Sequence, residues 1–183
     1  MMANRKSLIV VGIFICISIL CAGCEKGQDE LKQPLEETPQ QTLQNFSTQH
    51  TEAGVLKWTL TADSAEFLKE VVSVRNPTLQ IFQEGQVAIT ITGERGEIIQ
   101  STNNIKVFSN IVGVSRDGKL YTDELHWRNQ EGKLYAPNES RIVRGDSTMV
   151  GQEMECNPSL EAVTMKNVQF KIYPKDEKSD APE

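Results

Sequence analysis

The chain has 183 residues, of which 38% are hydrophobic, 6% aromatic and 24% charged, enough for one domain of ordinary size. Its 19 Lys and Arg stand against 25 Asp and Glu, a net charge of -6, so the broad positive field that nucleic-acid binding requires is absent. With His50 and His126 as its only histidines, Cys at 16, 21, 24 and 156, and no glycine-rich phosphate loop, it fits few enzyme classes.

From the N-terminus, Arg5 and Lys6 precede sixteen uncharged, mostly apolar residues, Leu8 to Gly23, the layout of an export signal. A spanning helix needs about 20 apolar residues, so the length favours cleavage. The run ends Leu20-Cys21-Ala22-Gly23-Cys24, which resembles a bacterial lipoprotein signal with Cys24 as the lipidated first residue of the mature chain. Residues 1–23 are then a lipoprotein-type signal peptide; the alternative is an uncleaved N-terminal anchor helix.

Residues 24–44 are rich in Gln and acids, with Pro34 and Pro39 and few large apolar residues, a composition that cannot bury a core and reads as a disordered tether. Residues 45–173 form the folded body. There the apolar pattern has period two: Val87, Ile89 and Ile91 alternate with Ala88, Thr90 and Thr92, and Val168, Phe170 and Ile172 with Gln169, Lys171 and Tyr173, which predicts strands. Turn signals punctuate them at Asn76-Pro77, Glu84-Gly85, Asn103-Asn104, Asp117-Gly118, Glu131-Gly132, Pro137-Asn138, Gly145-Asp146 and Asn157-Pro158. Ser64 to Val71 lacks a helical stripe and reads as strand, bulge, strand. Cys156, with no basic neighbour in sequence to activate it, reads as a small buried hydrophobe. Residues 174–183 read as a disordered tail.

The body repeats. Trp58-Thr-Leu-Thr-Ala-Asp-Ser-Ala-Glu-Phe67 aligns without a gap on Ile89-Thr-Ile-Thr-Gly-Glu-Arg-Gly-Glu-Ile98, and looser copies begin at Leu120, Leu134 and Met149. Such a chain stacks hairpins, each touching its neighbours. Ala62, Ala65, Gly93, Gly96, Thr122, Ala136 and Gly151 fall where a strand must bend or let another approach. The expected fold is all-β: an open-sided, twisted β-jelly roll built from repeated antiparallel hairpins.

The membrane signal, the polar tether and the recurring Trp58-x-Leu60-x-Ala62-x-x-Ala65-x-Phe67 unit together resemble the LptC family of lipopolysaccharide export, over about residues 43–173. The resemblance implies a periplasmic carrier that is not an enzyme and uses no cofactor or metal. It would take lipopolysaccharide by its lipid A acyl chains from an inner-membrane LptB/LptF/LptG-type ABC transporter and pass it to an LptA-like bridge protein. The apolar residues suit such a carrier physically. Trp58, Leu60, Phe67, Ile89, Ile91, Ile98, Val107, Leu125, Trp127, Met149 and Phe170 can line a greasy groove, each buried CH₂ contributing about 0.8 kcal/mol. Arg95, Lys106, Arg128 or Arg141 could meet lipid phosphates at its mouth, or be solvated turn charges. Gly151 matches a small residue of the family. The terminal strand, with Val163, Met165, Val168, Phe170 and Ile172, is expected to pair edge to edge with the LptA-like partner, while the N-terminal edge near Phe46 to Leu60 faces the transporter. Attachment is at the periplasmic face of the inner membrane, with the outer membrane left open because Glu25, not Asp, follows Cys24.

Two rival readings stand beside this one. A scaffolding envelope lipoprotein would use the same apolar set as a closed core and carry no lipid. An enzyme would have to use Asp63 and Glu66, or Asp123 and Glu124 near His126.

Overall fold

A computed structural model describes residues 41–172; the apolar leader, Cys24, residues 25–40 of the tether and the tail lie outside the described residues. Among the described residues no helix is long and apolar enough to cross a membrane. The chain there forms twelve strands: β1 (Gln41–Glu52), β2 (Val55–Phe67), β3 (Val71–Arg75), β4 (Thr78–Gln83), β5 (Gln86–Thr92), β6 (Arg95–Ile99), β7 (Asn104–Ser115), β8 (Lys119–Arg128), β9 (Lys133–Ala136), β10 (Ser140–Arg144), β11 (Ser147–Cys156) and β12 (Val163–Ile172). All pairings are antiparallel.

The register resolves this sheet into two layers joined by a bend. One half of β2 pairs with β4 and the other with β3; β7 likewise divides between β5 and β6, β8 between β10 and β9, and β11 between β10 and β9. The first layer therefore holds β4, β5 and β10 with one half of each long strand, and the second holds β3, β6 and β9 with the other half. Each pass of the chain crosses from one layer to the other, and each pairs with the passes before and after it. The result is an all-β, open-sided jelly roll made of repeated hairpins.

This explains the repeat. Residues 58–61 and 89–92 lie in the first layer, 64–67 and 95–98 in the second, and Ala62-Asp63 and Gly93-Glu94 occupy the bend between them. A Cβ built on Gly93 would stand 2.5 Å from Val107 Cγ1 and 3.3 Å from the Phe108 carbonyl oxygen, and one on Gly151 would stand 2.9 Å from the Lys166 carbonyl oxygen, so close approach at the bend excludes a side chain. The sharp turn of direction also appears as left-handed backbone at Asn45, Ser109, Asn110, Glu153 and Asn167, mostly short polar residues that tolerate it. Side chains tie the bend: Asn76 Nδ2 donates to Asp63 Oδ2 at 2.8 Å, Asn110 Nδ2 to Glu94 Oε1 at 2.5 Å, and Thr122 Oγ1 to the Glu139 carbonyl at 3.0 Å.

Two boundaries differ from expectation. β1 begins at Gln41, so residues 41–44, expected in the tether, pair with Ser64 to Phe67. Their side chains, Leu43 among them, are exposed; a scarcity of apolar residues argues against a core position but not against an edge strand held by its backbone. Between Phe67 and Val71, where the sequence predicts a bulge, the chain makes a hairpin turn, closed by the Leu68 N–H donating to the Val71 carbonyl at 2.9 Å.

Candidate functional site

Alternation turns one set of side chains into the space between the layers. Trp58, Leu60, Ile89, Ile91, Ile98, Val107, Leu125 and Trp127 are all buried in one cluster, with Phe67 and Met149 packed against it. The structure therefore brings together ten of the eleven residues expected to line a groove, and they fill the interior with their own side chains. Phe170 is the exception: it is 60% exposed. Its pass is the last among the described residues, and no further described strand covers it.

At the margin of this interior lies a mouth, where the hairpin turns of the two layers face each other across a cleft of about 600 Å³. Val55, Lys57, Phe82 and Val87 line it from the first layer, and Trp127, Asn129, Asn157 and Glu161 from the second. Two contacts span it: Asn129 Nδ2 and His50 Nε2 at 3.4 Å, and the Arg116–Glu161 ion pair at 4.0 Å. His50 also stacks on Trp58, with ring centroids 5.7 Å apart. Three polar atoms here are buried without a hydrogen-bond partner, the indole N–H groups of Trp58 and Trp127 and the Asn129 side-chain oxygen, an expensive arrangement unless something else meets them.

A second, smaller cavity of about 260 Å³ opens at the C-terminal end of the first layer, lined by Ile142, Arg144, Ser147, Met149 and Phe170. Ile142, Met149 and Phe170 stand opposite one another in register across β10, β11 and β12, so they form one apolar row running from the buried centre to the open edge. On β12, Val163 and Met165 are half-buried against the core, Val168 is 46% exposed, and Ile172 pairs with Ser147 through its backbone.

Of the two readings of the basic residues, contacts at a groove mouth or solvated charges, the structure places them on the outer surface. Arg95 lies over the Phe108 ring at 5.6 Å, Arg128 over Tyr135 at 4.4 Å and Arg141 over Tyr121 at 4.2 Å. Arg128 also pairs with Glu131 at 3.2 Å and with Glu155 at 3.6 Å, and Glu155 pairs with Lys133 as well. Each of Arg95, Lys106, Arg128 and Arg141 sits next in sequence to a buried residue (Gly96, Ile105, Trp127, Ile142), and period two sends neighbours to opposite faces.

Two of the four carboxylates weighed for catalysis, Asp63 and Glu124, have structural partners. Asp63 accepts from Asn76 at the bend. Glu124 meets His126 at 2.7 Å and Asn138 at 3.3 Å. Burial pushes the Cys156 thiol up to about 12, so it stays a neutral, apolar filler. Among the described residues no cluster of His, Cys, Asp and Glu could hold a metal ion.

A family model described as lipopolysaccharide-assembly, LptC-related, matches residues 8–172. No curated protein matches the chain. Among solved structures, the fold is similar to that of LptH, titled the LptA-homologous periplasmic component of the conserved lipopolysaccharide transport device from Pseudomonas aeruginosa, with a TM-score of 0.53 and 14% identity over 64% of this chain and 95% of that one. At that identity the likeness is one of fold.

Proposed function

Because the chain belongs to the LptC family of lipopolysaccharide-assembly proteins, a periplasmic role in lipopolysaccharide transport is its premise, and we propose that the space between its two layers receives the acyl chains of lipid A. The observation that carries this reading is the convergence of the inward apolar set on one interior that opens at the mouth. Acyl chains enter there, parting the layers and exchanging contacts among Trp58, Leu60, Leu125 and Trp127 for contacts with hydrocarbon. Parting is feasible because the far ends of the layers share no ladder hydrogen bonds; side-chain packing and the two cross-mouth contacts hold them. The unpartnered indole N–H groups then face the region where ester and amide carbonyls join chains to sugar, and such carbonyls would satisfy them.

Direction follows from the edges. Among the described residues β1 and β12 are the first and last passes, and each leaves one backbone edge without a strand partner there, the feature by which a sheet accepts a strand from another protein. The exposed Val168 and Phe170 make the C-terminal edge the one suited to an LptA-like acceptor, and β1 the one toward the transporter. Residues 1–40 supply attachment to the inner membrane through lipidated Cys24 or through the apolar run itself; the mass of the mature N-terminus separates the two.

One observation favours the scaffold reading: the interior is closed by its own side chains. The decisive experiment joins the layers. Cysteines at positions 50 and 129, in a Cys156→Ser background, are bridged by a short reducible thiol cross-linker, and lipopolysaccharide binding is measured before and after bridging. The carrier reading expects bridging to abolish binding and reduction to restore it. Unchanged binding in the bridged protein, or no lipid bound by the wild type, would favour the scaffold.

A further inference from the structure

The inward face of a stack that carries hydrocarbon should carry no charge, yet among the described strands one inward-phase side chain is a guanidinium. On β10 the alternation Ser140, Ile142, Arg144 keeps the first two buried, so Arg144 is in phase with the inward set. The other basic residues of the described strands are out of phase with it, as the outer-face arginines illustrate. The Arg144 guanidinium sits in the C-terminal cavity with Ile142, Ser147, Met149 and Phe170. Two of its nitrogens, Nε and Nη2, are buried without an acceptor, and no ion pair among the described residues includes it. Its inward phase and its place in the cavity lining put Arg144 on the side of the sheet that faces the opposite layer, where Cys156 feels its charge. That thiol remains neutral and cannot balance it.

A half-buried guanidinium with two buried, unpartnered donors beside an apolar row is a cost to the isolated protein and is matched in shape to an oxyanion carrying several oxygens. We propose that Arg144 is the head-group subsite of the carrier: it takes a phosphate of an acylated amphiphile whose chains run along Ile142, Met149 and Phe170. The inference rests on the lipid-carrying function proposed above and adds the anionic contact to it. It also places phosphate recognition at the end of the stack from which cargo would leave.

The test uses the full-length protein in mild detergent. Binding of lipid A is compared with that of dephosphorylated lipid A bearing the same chains, and with inorganic phosphate. Wild type should bind the phosphorylated lipid about tenfold more tightly, the scale of one charge-assisted contact. Arg144→Gln should erase that preference while leaving affinity for the dephosphorylated lipid unchanged, and Arg144→Lys should keep part of it. Because the guanidinium has no partner to lose, Arg144→Gln should melt at the wild-type temperature or above. A preference that survives in Arg144→Gln, a marked fall in its melting temperature, or inorganic phosphate binding as tightly as the lipid would each overturn the proposal. If wild type bound neither lipid, the carrier function itself would fail, a different result from equal binding of both.

Discussion

The central passes and the C-terminal end of this molecule are built from the same unit, yet they present opposite surfaces. In the centre, Ile89, Ile91, Ile105, Val107 and Leu125 are each at most 1% exposed. At the end, the equivalent inward row passes from Ile142 through half-buried Met149 to Phe170, 60% exposed, with Arg144 beside it. Neighbouring passes close the groove in the middle, and among the described strands only the two ends of the stack lack a neighbour on one side. Stability therefore resides in the centre and recognition at the ends, a division expected of a quasi-linear array.

Substitutions in the two regions should separate these properties. The largest effect belongs to Ile91: truncation to Ala should cost about 2–5 kcal/mol in chemical denaturation, and Ile91→Glu should abolish cooperative unfolding, because a carboxylate there has neither water nor a partner. Next comes the bend, where Gly93→Ala forces Val107 and the Phe108 carbonyl aside and should cost about 1–3 kcal/mol. At the edge, Phe170→Ala should change stability by less than about 0.5 kcal/mol while weakening capture of an LptA-like partner in a pull-down. A loss of stability there as large as at Ile91 would erase the distinction between centre and end.

The smallest effect is on the outer face. Lys133 holds the Glu155 carboxyl below its ordinary value, so this pair contributes stability that is present above the usual glutamate pKa, about 4.3, and is lost as pH falls through the lowered one. Lys133→Met should thus differ slightly from wild type in thermal unfolding at pH 7, and the difference should shrink as pH falls below about 4.3. Lys133 is exposed and Glu155 partly so, and the difference should shrink further in high salt.

Much of this is legible in the sequence, for identifiable reasons. Turn residues such as Asn76-Pro77 and Asp117-Gly118 fall between strands because they cannot be accommodated within them, and the ungapped match of 58–67 to 89–98 records two passes over the same bend. Phase is legible too, and it alone picks out the ten residues that meet between the layers. The ends are less so. Alternation says which face a side chain takes but not whether a neighbouring strand covers it, so by phase Phe170 is indistinguishable from residues that are buried. The same phase rule, carried from Ile142 to the end of β10, points to Arg144, whereas Arg95, Lys106, Arg128 and Arg141, the basic residues weighed as phosphate contacts, are all one step out of phase. Residues 41–44 read as tether because composition reports on burial and is silent about backbone pairing at an edge.

The most direct measurement of the central claim, that cargo lies between the layers, is photo-crosslinking to lipopolysaccharide from matched inward and outward positions. A photoreactive side chain replaces Phe67, Met149 or Phe170 on the inward face, or their outward neighbours Glu66, Thr148 or Lys171. Adducts should form from the inward three and be absent from the outward three. Equal labelling of both faces, or labelling of the outward set alone, would contradict it.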